Sequence, residues 1–195
     1  MSDAPQPVRE HDIDVVALSL ARAFANDPML RAGLRPDVSV DELSQIVRAL
    51  FVEYVAVDAA WQLDGGHAAA GWLPPTAAAA FELIDQRTRP IVLPLTDDES
   101  AVYNAFWEWI TEHIPDEPVW LLDFIGVDPD VQGRGYGGRL IQHGLDLARD
   151  QALPAFLETA NPANVAYYEG FGFRVVDSGL PPGGGPEVWF LRHDG

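Results

Sequence analysis

Cysteine is absent from this chain of 195 residues. That excludes disulfides, thiolate-ligated zinc and a cysteine nucleophile, and it is compatible with a cytoplasmic setting. Lysine is absent as well. All 12 cationic residues are arginine against 30 acidic ones, so the net charge is −18 and the computed pI about 4.3. Such a surface repels a nucleic-acid backbone, which excludes nucleic acid as a partner. It attracts cationic molecules such as amines. No apolar run is long enough to span a bilayer, and the N-terminal MSDAPQPVRE carries no basic-then-apolar signal, so no membrane partner is expected. The 5 histidines, at positions 11, 67, 113, 143 and 193, lack metal-ligand spacing, and no metal is predicted. What remains is ordinary for one globular domain over residues 1–195, with 48% hydrophobic and 22% charged residues.

One stretch organises the rest: Trp120 to Gly138, WLLDFIGVDPDVQGRGYGG. Trp120 to Val127 is apolar except for Asp123 and rich in β-formers, so it predicts a buried strand. Asp128-Pro129-Asp130 stops it, and Gly133, Gly135, Gly137 and Gly138 follow. Leu140, Ile141, Gly144, Leu145 and Ala148 then recur at helical spacing. A strand, a glycine-rich loop and a helix make an anion site suited to a pyrophosphate, built from backbone N–H groups and the positive helix end. Gly133, Gly135 and Gly138 match the G-x-G-x-x-G dinucleotide fingerprint, with Glu158 about 20 residues on. Against that reading, DPDVQ separates strand from glycines, and too little chain follows for further βα units. A Walker loop fails, because no Lys-Ser or Lys-Thr follows.

Elsewhere the pattern predicts a short strand at Val8-Arg9 and a helix over 12–24. A second helix opens at the Ser39-x-x-Glu42 capping box and runs to about Tyr54, burying Leu43, Ile46, Val47, Leu50, Phe51 and Tyr54. Strands over about 56–63 and 68–72 form a hairpin through Asp64-Gly65-Gly66-His67. Residues 76–117 read as a helical insertion: a helix from Ala77 to Arg87, a connector, then a second capping box at Thr96-x-x-Glu99. The helix it opens carries Val102, Phe106, Trp109, Ile110 and His113 on one face, as core or as a pocket wall. A strand at Ala155 to Thr159, a helix within Asn161 to Gly170, and strands at 173–176 and 188–191 complete the order. The hairpin requires antiparallel pairing and the β-α-β crossover parallel pairing, so an α/β (α+β) mixed sheet is expected.

The segment Gln132-Gly133-Arg134-Gly135-Tyr136-Gly137, behind Val127 and Pro129, resembles the acetyl-CoA loop of the GNAT superfamily of N-acetyltransferases. Asn164, Tyr168 and Gly170-x-Gly172-Phe173 resemble a later region of that family. EPVWLL at 117–122, PAFLET at 154–159 and YYEGFGF at 167–173 look like its puromycin N-acetyltransferase branch, as does AFANDP at 23–28. One departure stands out: Asp27 occupies a place where the puromycin enzyme carries tyrosine. The resemblance covers nearly the whole chain. It implies a mostly antiparallel twisted sheet of six or seven strands, splayed at its central parallel pair, with helices on both faces. It also implies acetyl-CoA as cofactor, held by Ile125, Gly126, Val127, Gln132, Gly133, Arg134, Gly135, Tyr136, Gly137, Gly138, Asn164 and Tyr168.

The chemistry of acyl transfer to an amine assigns the remaining roles. A protonated amine needs a base, and Asp123 and Glu158 are the candidates. Period-two alternation puts Asp123 on the face of Ile125 and Val127. Tyr168 is the proton donor to the departing thiolate. Tyr167 packs elsewhere, since neighbours on a short helix do not both face one cleft. Asp27 and Glu158 are expected to contact the acceptor, a primary amine on a small molecule such as an antibiotic. The alternatives are a protein or peptide amine and a non-catalytic acyl-CoA sensor. The chain is expected to be a monomer or a homodimer.

Overall fold

The computed structural model of the chain describes residues 4–32, 34–77 and 97–195. The predicted helix that begins at Ala77, its connector and the Thr96-x-x-Glu99 box lie outside the described residues. Among the described residues, seven strands form one sheet in the order β1-β2-β3-β4-β5-β7-β6. They are β1 (Gln6–Pro7), β2 (Ala60–Leu63), β3 (Ala68–Leu73), β4 (Trp120–Val127), β5 (Ala155–Thr159), β6 (Arg174–Gly179) and β7 (Val188–His193). Every neighbouring pair is antiparallel except β4–β5. This is the mixed sheet the sequence predicts. A doubly wound dinucleotide fold needs successive parallel crossovers and is excluded.

Six α-helices accompany the strands among the described residues: α1 (Ile13–Ala23), α2 (Pro28–Arg31), α3 (Val40–Ala56), α4 (Asp97–Glu112), α5 (Tyr136–Asp150) and α6 (Pro162–Glu169). The capping box at Ser39 is formed: its Oγ accepts from the Glu42 N–H at 3.2 Å, and the Glu42 carboxylate accepts from the Ser39 N–H at 2.9 Å. With this start α3 runs through Ala56, so β2 begins at Ala60 rather than near 56. The first strand lies at Gln6–Pro7 instead of Val8-Arg9, although the Val8 N–H still donates to Ala60 at 2.9 Å.

Both faces of the sheet are covered. Leu20, Val47, Phe51, Tyr54, Phe106 and Ile110 from α1, α3 and α4 pack on Ala69, Leu121, Phe156 and Phe190. On the other face Leu140, Ile141, Leu145 and Tyr168 from α5 and α6 pack on Ala70, Trp72, Leu122 and Leu157. The buried residues of α5 are the five that its spacing predicts. Gly144 sits against the Trp72 indole, where a Cβ would lie 1.9 Å from a ring carbon. On α4, Phe106 and Ile110 are core, but Val102 is exposed: its position falls outside the stripe that meets the sheet.

Two irregularities create the site. The strands β4 and β5 pair only at Trp120↔Ala155 and Leu121↔Phe156, then part. The backbone of β4 beyond Leu121 is therefore open on that edge while still paired to β3 on the other. In the β3–β4 ladder Trp72 faces Leu122 but Gly71 faces Phe124, so Asp123 is the extra residue of a β-bulge. The bulge corrects the simple alternation. Asp123 accepts a hydrogen bond from Tyr54, in the α1/α3 layer, whereas Ile125 and Val127 pack in the α5 layer.

Candidate active site

The loop after β4 is built to leave its inner face open. Gly133 and Gly135 have φ of 78° and 77°, and a Cβ on either would meet no atom within 4 Å. Both need the left-handed region that glycine adopts without penalty. Gly135 is the N-cap of the fifteen-residue α5, so the positive end of that helix lies behind the loop. The Gln132 amide donates to the Val127 carbonyl at 3.2 Å, tying the loop to the end of β4. Asp128, 3% exposed, accepts from the Asp130 N–H at 2.9 Å and from Arg22 at 3.0 Å; Arg22 also reaches Asp130 at 2.8 Å. Thus α1 clamps the entry to the loop, a contact across more than a hundred residues that no local motif announces. Gly137 and Gly138 serve packing: a Cβ on them would come 3.1 Å from the Tyr167 hydroxyl and the Phe171 ring respectively. The Arg134 side chain is exposed, and Arg139 lies over the Tyr136 ring at 4.9 Å.

A cleft of about 690 Å³ runs from this loop along the open edge of β4. Of the residues expected to hold the cofactor, Ile125, Gly126, Val127, Gln132, Gly133, Gly135, Tyr136, Gly137, Asn164 and Tyr168 line it; Arg134 and Gly138 do not. A second cavity of about 80 Å³ lies beyond the bulge, with Asp27, Asp123 and Glu158 on its wall and Met29, Leu30, Trp107 and Phe124 around them. The two cavities share Phe24, Asp27, Ile125, Asn164 and Tyr168. Asn161, not Asn164, caps α6, accepting from the Ala163 N–H at 3.0 Å, so Asn164 is left on the junction. Both Tyr167 and Tyr168 line the larger cleft, which corrects the expectation that only one could. Only Tyr168 also reaches the smaller cavity.

All three carboxyls around the small cavity are raised, each by burial first. Burial pushes the Asp123 carboxyl up to about 7. Glu158 is pushed well above the usual carboxylate range, by burial first and by the charge of Asp123 second, and its Oε2 has no hydrogen-bond partner. Asp27 is also raised by burial, though the Met29 and Leu30 N–H groups, at 2.9 and 3.0 Å, pull it back. The Tyr168 phenol is raised well above its ordinary value by burial, then by Tyr167, Glu158 and Asp27. Two half-buried carboxyls raised side by side in one cavity are chemically suited to taking up and releasing a proton.

Sequence reasoning missed Trp107. It sits one position after Phe106 on α4, off the predicted face, and its indole N–H is buried without a partner. Phe24 was legible only as the last residue of a helical stripe, yet it stands where the two cavities meet.

The family model described as Acetyltransferase (GNAT) family matches residues 77–173. The ribosomal protein bS18-alanine N-acetyltransferase of Salmonella typhimurium is 35% identical over 119 residues, covering 60% of this chain and 73% of the relative. The chain belongs to the GNAT acetyltransferase family. A peptidyl-lysine N-acetyltransferase of the same organism is 28% identical over 40% of this chain and 65% of its own length. Other curated relatives are matched over only 20% to 49% of their own lengths. Among solved structures, an acetyltransferase of Corynebacterium glutamicum, described with histone acetyltransferase HPA2, superposes with a TM-score of 0.65 at 22% identity, covering 98% of this chain and 96% of that one. That likeness is one of fold. Among the described residues no helix is long and apolar enough to cross a membrane.

Proposed function

We propose that the chain is an acetyl-CoA-dependent N-acetyltransferase that passes an acetyl group directly to the primary amine of a small cationic molecule. One observation carries this reading. A large cleft ending in an open anion-binding loop meets a small cavity with three carboxyls, and Tyr168 stands at the junction. The residues fit acetyl-CoA. The glycine loop and the start of α5 offer backbone donors to a pyrophosphate. The unpaired edge of β4 offers backbone partners to an extended arm, and Asn164 offers an amide beside it. When bound, acetyl-CoA supplies an activated thioester.

The chain's own residues handle protons and position. An alkylamine, with a pKa near about 10.4, reaches the pocket as an ammonium. The Asp123–Glu158 pair takes one proton from it and passes that proton to solvent. The neutral amine would be the nucleophile toward a thioester bound along β4, whose unpaired N–H groups would be the donors available to its carbonyl oxygen. The Tyr168 phenol would supply the proton that a departing thiolate needs and would regain one from the acylated nitrogen. The burial that raises Tyr168 keeps it protonated for this step.

The acceptor class follows from the smaller cavity. Carboxyls face it from three directions, while Phe24, Met29, Trp107 and Phe124 give it apolar walls. A primary ammonium on an apolar or aromatic body matches both. The puromycin-like stretches support a small-molecule acceptor, and Asp27 in place of tyrosine favours a cationic one over puromycin. A second reading, the N-terminal amine of a peptide, is favoured by the similarity to the bS18-alanine enzyme. A panel of cationic, neutral and anionic amines plus an alanyl peptide, read by mass shift and free-thiol release, separates these. Acetylation of cationic small amines, faster at low salt, supports the proposal. Preference for the alanyl peptide supports the second reading. Binding of acetyl-CoA with no acceptor turned over would mark a sensor instead.

A further inference from the structure

We propose that Tyr54 is a positioning residue that selects Asp123, rather than Glu158, as the carboxyl that gives up its proton first and so receives the one carried in by the amine. The assignment rests on the acetyl-transfer reading for its purpose, but not for its test.

Tyr54 belongs to no motif and lies on α3, far from the glycine loop in sequence. Its side chain is 1% exposed and its hydroxyl donates to Asp123 Oδ2. Three features fix that contact. Asp123 shares the α3 face with Leu121 by ordinary alternation, and the β-bulge, which moves Ile125 and Val127 to the other face, leaves it there. Gly71, opposite the bulge, makes room for the phenol ring: a Cβ there would lie 2.7 Å from a ring carbon. Phe51 holds the ring edge-on with centroids 5.3 Å apart. The hydroxyl therefore has little freedom to point elsewhere.

Glu158 has no side-chain equivalent: its carboxyl is met only by its own backbone N–H, and its Oε2 is buried with no hydrogen-bond partner. The other titratable groups facing Asp123 and Glu158 across the cavity are Asp27 ahead of α2 and Tyr168 on α6, and none of them is cationic. A phenol O–H donated to a carboxylate stabilises its charged form, while a buried carboxyl beside a negative charge keeps its proton. Of two like groups in one cavity, the one with the donor ionises first. Asp123 then waits as a carboxylate, with Oδ2 engaged by Tyr54 and Oδ1 left to face the incoming ammonium. Glu158 stays neutral, so the empty pocket holds one negative charge from the pair rather than two. Proton transfer leaves a neutral amine and a protonated Asp123, which returns its proton to solvent.

The test is a titration of the free protein carrying 13C-carboxyl-labelled aspartate and glutamate, followed by NMR. In the wild type one aspartate signal should titrate near neutrality, be absent in Asp123→Asn, and titrate below Glu158, itself assigned with Glu158→Gln. In Tyr54→Phe the Asp123 midpoint should rise by about one pH unit, the equivalent of one charge-assisted hydrogen bond. The acid limb of kcat/KM for any amine turned over should move with it. If Tyr54→Phe does not fold, replacing tyrosine by 3-fluorotyrosine makes the phenol a stronger donor, and the midpoint should fall instead. An Asp123 midpoint unmoved by either change, or a Glu158 that titrates first, overturns the assignment. Because the titration needs no acceptor, failure to acetylate any amine would sink the proposed activity and leave the order of ionisation intact.

Discussion

The buried carboxyl pair should make the protein lose stability toward alkaline pH in a way that Asp123→Asn removes. Each pKa unit is about 1.4 kcal/mol of differential interaction between the two protonation states. A carboxyl raised from 3.8 to about 7 therefore costs the folded state on the order of 4 kcal/mol once both states are ionised. The sign follows from proton counts. Between about pH 4 and pH 7 the folded chain holds a proton on Asp123 that the unfolded chain has lost, so stability falls as pH rises through that window and levels off above it. Glu158, raised in the same direction, extends the fall upward. Asparagine keeps the shape, still accepts from Tyr54 and cannot ionise. Urea unfolding at intervals from pH 5 to 9 gives the comparison. The general repulsion of a chain at net charge −18 is common to both proteins and cancels in the difference. Wild type minus variant should decline by about 2.7 kcal/mol between pH 5 and 8, because two pH units of the window fall there, or ~5–11 °C in Tm at about 2–4 °C per kcal/mol for a chain of this size. A difference that stays flat across that range would mean that Asp123 titrates like an ordinary surface carboxyl, and the electrostatic account of the pocket would fail with it.

Three further outcomes test the rest of the site. Tyr168→Phe keeps the ring and removes the phenol, so turnover should fall on the order of 10²-fold with acetyl-CoA affinity nearly unchanged in calorimetry; because burial lifts this phenol above the ordinary tyrosine value, no alkaline limb from it should appear below about pH 10 in the wild type. Gly135→Glu should abolish calorimetric acetyl-CoA binding, since the added carboxylate enters the open face of the loop, while the positive φ costs only about 1–2 kcal/mol of stability; NAD should bind neither protein. Gly144→Ala should lower stability by about 1–3 kcal/mol in chemical unfolding, because its Cβ collides with the Trp72 indole and a packed core does not absorb an extra methyl freely.

The parts of the fold that the sequence discloses are those governed by short-range rules. The buried stripe of α5 is a helical period with a glycine in it. The Ser39 box is two reciprocal hydrogen bonds between residues three apart. The limits of β4 and β5 are as expected because each is a run of β-formers ended by a breaker. Residues that depart from expectation do so where a partner distant in the chain decides. The start of β2 is delayed because α3 continues over it. Ile125 and Val127 leave the face of Asp123 because the pairing with β3, fifty residues earlier, shifts register between Gly71 and Trp72 and admits an extra residue. Nothing within a window around Asp123 encodes that.

The same division separates the two halves of the site. On the proposed reading the cofactor side is met mainly by backbone, and that constrains residue type: glycine alone adopts φ near 78° at Gly133 and Gly135 without penalty, so the loop carries a readable signature. The acceptor side is recognised by side chains that converge from α2, α4, β4, β5 and α6. No position there demands one residue type for conformational reasons, so the pocket can change its walls without disturbing the fold. Tyr54 illustrates this: it looks like core in its own helix, and it acquires a polar contact only through the Asp123 that the sheet brings opposite. On the proposed reading, the three carboxyls around an 80 Å³ cavity are therefore the part of this chain to vary first in testing which amine it takes.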